Sequence, residues 1–178
     1  DVGQAEWVIG EGVCDAVEMT RAQIADPDLV QKISKDQQSQ IRPCIRCNQT
    51  CQVRDARNPI VTCVGEPTSG HEMQDPDWYV SSMSPQTVTV VGAGVAGLET
   101  ARVAALRGHS VTIVEKSAAT GGIAAFSGPG QPLVAWLNSE IDRLKVRVEL
   151  GRQFDGSSLG DSQVVIQATG AQRGVDEY

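Results

Sequence analysis

The chain has 178 residues, 40% of them apolar, and a formal net charge of −7. An acidic balance without clustered Lys and Arg excludes nucleic acid as a partner, and no apolar run approaches the roughly 18–20 residues that span a bilayer. The length suits one good-sized domain or two small ones.

The first residues, Asp1-Val2-Gly3-Gln4, carry neither an initiator Met nor a signal-peptide pattern, so the chain reads as an internal stretch of something longer. Residues 4–10 have the apolar spacing of a short helix closed by Gly10. Val13–Met19 reads as a strand interrupted by Asp15 and Glu18, with Cys14 as a buried small hydrophobe. The segment from Asp26 to Ile33 reads as a helix start, with Asp26 as the expected N-cap and Pro27 at the first helical position. A polar stretch, 35–43, leads into a cysteine-bearing loop. Residues 65–86, with Pro67, Pro76, Pro85 and little periodicity, read as a linker. From Thr87 the pattern changes. A strand over Thr87–Val91, a glycine turn over Gly92–Gly97 and a helix over Leu98–Leu106 precede a second strand, Ser110–Glu115. Apolar residues at 133, 134, 136, 137, 141 and 144 predict a helix, and Val146–Leu150 and Gln163–Ala168 predict further strands. Alternating strands and helices imply an α/β unit with a parallel sheet.

Four of the five cysteines, Cys44, Cys47, Cys51 and Cys63, are spaced C-x2-C-x3-C-x11-C. An odd total rules out a complete disulfide framework, and the crowding points to a metal centre in a reducing, cytoplasmic compartment. Three thiolates on one short loop, joined by a fourth, suit an iron–sulfur cluster. A structural zinc site also accepts four cysteines, although it usually presents two separated knuckles. Arg42 and Arg46 flank the ligands, either to offset a cluster's negative charge or as ordinary solvated arginines.

Gly92-Ala93-Gly94-Val95-Ala96-Gly97 fits G-x-G-x-x-G between a predicted strand and a predicted helix, and Glu115 ends the next strand 23 residues after Gly92. Glycines there let the backbone approach a pyrophosphate at a helix N-terminus, and the carboxylate accepts from adenosine ribose hydroxyls while disfavouring a 2′-phosphate. Alone, Gly121-Gly122 is a plain turn and Ala168-Thr169-Gly170 a plain strand end. In this order after the first turn, they resemble the FAD domain of glutathione-reductase-like flavoproteins. His71 and His109 read as structural rather than acid–base residues.

Met19-Thr20-Arg21 followed by Ile24-Ala25-Asp26-Pro27-Asp28-Leu29 resembles the last βα unit of an old-yellow-enzyme-type flavin barrel. With the cysteine loop and the FAD-like turn behind it, nearly the whole chain is similar to the central part of the 2,4-dienoyl-CoA reductase and trimethylamine dehydrogenase family. The resemblance implies FMN in the barrel, a 4Fe–4S cluster on the four cysteines, and FAD or bare ADP in the second domain. NAD(P)H would act through a further domain. Thr20 and Arg21 match the positions that hold the FMN phosphate, as barrels often bind phosphate after strands 7 and 8. Gly92, Gly94, Ala96, Gly97, Glu115, Gly121, Gly122, Thr169 and Gly170 match the dinucleotide contacts. Val95, Glu66 and Ile123 depart from the family's usual Pro, Asn and Gln. The resemblance also implies that catalytic Tyr and His belong to earlier barrel strands.

The expected organisation is therefore a barrel end over 1–40, an iron–sulfur loop over 41–64, a linker over 65–86 and a Rossmann-like FAD/NAD(P)-binding domain over 87–178. The expected function is an oxidoreductase acting on a small molecule, enoyl-CoA-like or amine. Rival readings are the iron–sulfur reductase subunit beside glutamate synthase and a zinc-stabilised nucleotide-binding module. These residues leave substrate and assembly as a homo-oligomer open.

Overall fold

The computed structural model describes residues 2–52, 57, 60–74, 78–156 and 162–170. It divides into two compact units, Asp1–Pro76 and Asp77–Tyr178. Pro76 of the expected linker and residues 171–178 of the expected dinucleotide domain lie outside the described residues.

The first unit carries three short helices: α1 (Val2–Gly10), α2 (Thr20–Ala25) and α3 (Leu29–Ser34), with a 3-10 turn at Gln38–Gln40. Val13–Met19 form no strand, contrary to the sequence expectation. A strand persists only where a neighbour takes up its N–H and C=O groups, and no strand is found among the described residues of this unit. Cys14, expected to be buried there, is half-buried with a free thiol. The helix expected from Pro27 starts two residues later, at Leu29, with Asp28 rather than Asp26 at its N-cap. Asp26 instead closes a turn ahead of it. Its carboxylate, 2% exposed, accepts from Asp28 N–H (3.1 Å), Lys32 Nζ (2.7 Å) and Arg42 N–H (2.7 Å). Leaving such a buried carboxylate unbonded would cost its full desolvation. The α2–α3 corner and the entry to the cysteine loop are thereby fastened to one group.

The second unit is a parallel sheet with helices. Its strands are β1 (Thr87–Val91), β2 (Ser110–Val114), β3 (Arg147–Glu149) and β4 (Val164–Gln167), in the order β3-β2-β1-β4. Helix α4 (Val95–Leu106) crosses from β1 to β2 and α5 (Gln131–Arg143) precedes β3, after a 3-10 turn at Gly122–Phe126. Every pairing is parallel, with Val90 opposite Ile113 on one side and Ile166 on the other. Parallel central strands are covered on both faces and so read as continuous apolar runs. That is why Val88 and Val90 of β1 and Ile113 of β2 are buried beside Leu98 and Ala101 of α4 and Leu137 and Ile141 of α5. The observed helices and strands match the expected ones within a few residues. The largest offset is α4, which begins inside the glycine turn, at Val95 rather than Leu98.

The stretch 65–86 is shared between the units. Glu66 and Ser69 are buried in the first. In the second, Ser82 N–H donates to Arg107 O (2.8 Å) and Gln86 N–H to His109 Nδ1 (3.0 Å). Tyr79 and Trp136 stand 5.7 and 5.3 Å from the buried Arg102 guanidinium, which also pairs with Glu99 at 2.8 Å. Aromatic faces and a carboxylate suit a desolvated cation. Among the described residues, no helix is long and apolar enough to cross a membrane.

Candidate cluster and dinucleotide sites

In the second unit, the expected nucleotide residues converge at the carboxyl ends of β1, β2 and β4, between which the strand order changes direction. Open α/β sheets bind their ligands at such a switch point. Gly92 leaves β1 with φ +105°, a conformation that L side chains rarely adopt. A Cβ there would run into the Ala168 carbonyl, and a Cβ at Gly97 into the Gly92 carbonyl oxygen. These two glycines let strand, turn and helix touch backbone to backbone. Gly94 differs: nothing lies within 4 Å of where its Cβ would stand, and it is the N-cap of α4 without a side-chain cap. Space is therefore open beside Gly94, at the positive end of the helix. Ala96, in the first turn of α4, is exposed.

Gly121 and Gly122 lie against this turn. Gly94 and Gly121 form an isolated parallel bridge, and Gly121 N–H donates to Ala93 O at 2.7 Å. Ala168 N–H donates to Val91 O at 2.8 Å, which brings Thr169 and Gly170 to the same rim. Four segments separated in sequence thus share one cradle.

Glu115 sits half-buried just beyond the end of β2. One oxygen accepts from Ala93 N–H and the other from Ser117 N–H, both at 2.7 Å. A carboxylate offers about four acceptor sites, so it keeps capacity for two hydroxyl donors. Burial alone would raise its pKa, but the Ala93 and Ser117 amides prefer the ionised form and hold it below the ordinary carboxylate value. A depressed folded-state pKa contributes stability above the unfolded pKa, which is lost as pH falls through the folded value. Glu115→Gln should therefore flatten the acid limb of the stability–pH curve below the usual carboxylate range. In the complete protein, Glu115→Ala should also weaken adenine-dinucleotide retention by about 1–3 kcal/mol. Unchanged retention after gel filtration would reduce Glu115 to a brace for the glycine turn.

In the first unit, all four loop cysteines are free thiols, none fully buried. Two of the sulfurs carry an amide contact from two residues on: Arg46 N–H to Cys44 Sγ and Gly65 N–H to Cys63 Sγ, each 3.4 Å. Hydrogen bonds to ligating sulfurs are among the contacts that tune iron–sulfur centres. Arg46 and Asn48 take left-handed conformations, φ 57° and 51°, so the loop curls tightly between Cys44 and Cys51. The last cysteine returns to the others by a rung: Thr50 Oγ1–H donates to Thr62 O (2.9 Å) and Thr62 N–H to Thr50 O (3.2 Å), next to Cys51 and Cys63. Among the described residues, no group of three His, Cys, Asp or Glu side chains is placed to hold a metal ion. A single ion needs its ligands to converge on one point, whereas a cluster takes each thiolate on its own iron. Four free thiols, two amide–sulfur contacts and the threonine rung fit a thiolate-ligated cluster.

Two contacts of this loop were not among the expectations. Arg42 is not solvated. It is buried and pairs with Glu66 at 2.9 Å, closing the loop at its base. An Arg just before the first cysteine and a Glu just after the last were the available signal. Arg21, exposed as its helix-end position implies, donates to Asn48 Oδ1 (2.7 Å), inside the cysteine loop. Thr20 donates its hydroxyl to Glu18.

Fold and glycine turn together define a Rossmann-like α/β unit in one chain with a cysteine-rich loop. A family model described as pyridine nucleotide-disulphide oxidoreductase matches residues 56–176. N,N-dimethylglycine/sarcosine dehydrogenase of Chromohalobacter salexigens is 38% identical over 97% of this chain and 26% of its own length. The structure resembles 2-naphthoyl-CoA reductase (TM-score 0.89, 32% identity, 99% of this chain and 28% of that one). It also resembles histamine dehydrogenase from Rhizobium sp. 4-9 (TM-score 0.87, 29% identity, 100% of this chain and 27% of that one). The chain belongs to the pyridine nucleotide-disulphide oxidoreductase family, on its 2,4-dienoyl-CoA reductase and trimethylamine dehydrogenase branch. It spans about a quarter of the length of the curated relatives it matches.

Proposed function

We propose that this chain is the electron-carrying segment of an iron–sulfur flavoprotein oxidoreductase. The observation that carries the reading is a four-cysteine loop tied by the Thr50–Thr62 rung and the Arg42–Glu66 pair, in the same chain as a backbone cradle left open at Gly94. Cys44, Cys47, Cys51 and Cys63 hold one 4Fe–4S cluster. Gly92, Gly94, Ala96 and Gly97 line the pyrophosphate of FAD or ADP, Glu115 accepts from its ribose, and Gly121, Gly122, Thr169 and Gly170 close the cradle's sides. Thr20 and Arg21 supply donors for an FMN phosphate at the end of a flavin barrel. Residues 1–40 end that barrel, 41–64 form the cluster loop, 65–86 connect, and 87–178 begin the Rossmann-like domain.

When bound, these groups supply one-electron transfer and hydride exchange between FMN and FAD or NAD(P)H. The residues of this chain do the holding. Helix α4 offers its amides to phosphate, Glu115 selects an unphosphorylated ribose, and the amides at Arg46 and Gly65 donate to two of the ligating sulfurs. The substrates named for the relatives, methylated amino acids, histamine and an aryl-CoA thioester, support a substrate among small amines or enoyl thioesters. Proton chemistry on the substrate falls to the barrel. The protein acts in the reducing cytoplasm, without nucleic acid or membrane.

The absorption spectrum of the complete, anaerobically purified protein tests this reading. Flavin bands over a broad brown shoulder, with FMN and either FAD or ADP in the acid extract, are expected. A colourless protein would overturn it.

A further inference from the structure

The base of the cysteine loop holds a buried ion pair that ligates nothing. Arg42 Nε and Glu66 Oε2 meet at 2.9 Å, with side chains 4% and 3% exposed. Arg42 Nη1 also donates to Gly65 O, and the Gly65 N–H lies 3.4 Å from Cys63 Sγ. The other oxygen of Glu66 accepts from the Thr68 amide (3.0 Å) and hydroxyl (2.6 Å). Guanidinium and sulfur thus hold the two peptide groups on either side of the Gly65 Cα, with the carboxylate balancing the cation.

Reduction potentials of such centres respond to net charge, hydrogen bonds to the sulfurs and solvent exposure. A donor aimed at a ligating sulfur favours the electron-richer state, as does a nearby cation, and a carboxylate opposes it. Burial leaves these charges weakly screened by salt. We propose that Arg42 and Glu66 are positioning residues that set the reduction potential of the centre on these cysteines. They do so by aiming the Gly65 amide at Cys63 and by balancing the guanidinium charge beside it. The proposal rests on the iron–sulfur reading of the loop. In the redox step one electron enters the centre, supplied in the experiment by dithionite, and no bond forms or breaks in the pair.

The two members should act with opposite sign. Glu66→Gln keeps the size and an acceptor for Arg42 but leaves the guanidinium charge unbalanced, so the midpoint should move positive. Arg42→Gln removes the cation and the donor to Gly65 O, so the midpoint should move negative. The double variant restores charge balance and should return toward the wild type, stopping below it by the contribution of the aimed amide. These midpoints are read by dithionite titration followed by electron paramagnetic resonance on the complete protein, with iron and sulfide measured on the same samples. Full iron with unmoved midpoints, or with both single variants shifted in the same direction, would overturn the proposal. If the glutamine variants lose iron, Arg42→Lys, which keeps the charge but not the fork, should still shift the midpoint negative; no shift at full iron overturns the proposal as well. A wild-type protein without iron and sulfide would overturn the iron–sulfur reading itself.

Discussion

Serine in place of Cys44, Cys47, Cys51 or Cys63 should strip most of the iron from the complete protein and bleach its brown colour. Cys14→Ser should leave both intact. Each corner of a four-iron centre needs its own thiolate, and a hydroxyl at neutral pH does not replace one. Even outer partners of metal ligands typically cost about 10–100-fold in metal affinity when removed, so loss of a direct ligand should cost at least that. The geometry makes Cys63 the informative case. It is 12 residues beyond Cys51 in sequence, yet the Thr50–Thr62 rung brings the two chain segments together. Cys63→Ser should therefore be as damaging as Cys47→Ser. Cys14 lies at a half-buried position on a separate segment with no part in this rung. A centre that survives in Cys63→Ser but vanishes in Cys14→Ser would show that the ligands are wrongly assigned.

The second large effect separates two glycines three residues apart. Gly97→Ala should cost about 3 kcal/mol or more of stability, at the upper end for overpacking, because its methyl group would meet the Gly92 carbonyl oxygen, which has no side-chain freedom to escape. Gly94→Ala should leave the melting temperature of the nucleotide-free protein nearly unchanged, since its methyl group would enter open space. That space is where the pyrophosphate is proposed to lie, so Gly94→Ala should nonetheless lose FAD or ADP on gel filtration. Thermal unfolding with and without added nucleotide checks both. A Gly94→Ala protein that retains its nucleotide fully would move the pyrophosphate away from this turn.

Much of the second unit was legible in the sequence because its signals are local and reinforce one another. Thr87–Val91 is β-branched throughout, which suits a strand, and Gly92 and Gly97 are fixed by backbone contacts that leave no room for a Cβ. The start of α4 was placed late because Val95 and Ala96 were counted with the turn, whereas an extended Gly94 already caps the helix. The first unit was harder to read. Val13–Met19 has the residue types of a strand, but strand formation depends on a neighbour that composition cannot reveal. Asp26 has the look of an N-cap, yet three donors from different segments claim its carboxylate. The Arg42–Glu66 pair spans 24 residues, a separation at which no periodicity speaks. The cysteines were visible as a spacing, while the rung that brings the last one back was not.

Metal and sulfide analysis of the complete protein, purified without oxygen, bears most directly on the nature of this chain. An iron–sulfur flavoprotein requires about four iron and four acid-labile sulfide per chain, the composition of a four-cysteine cubane centre. About one zinc per chain with no sulfide, the content of a structural four-cysteine site, would contradict it and leave a zinc-stabilised nucleotide-binding module in its place.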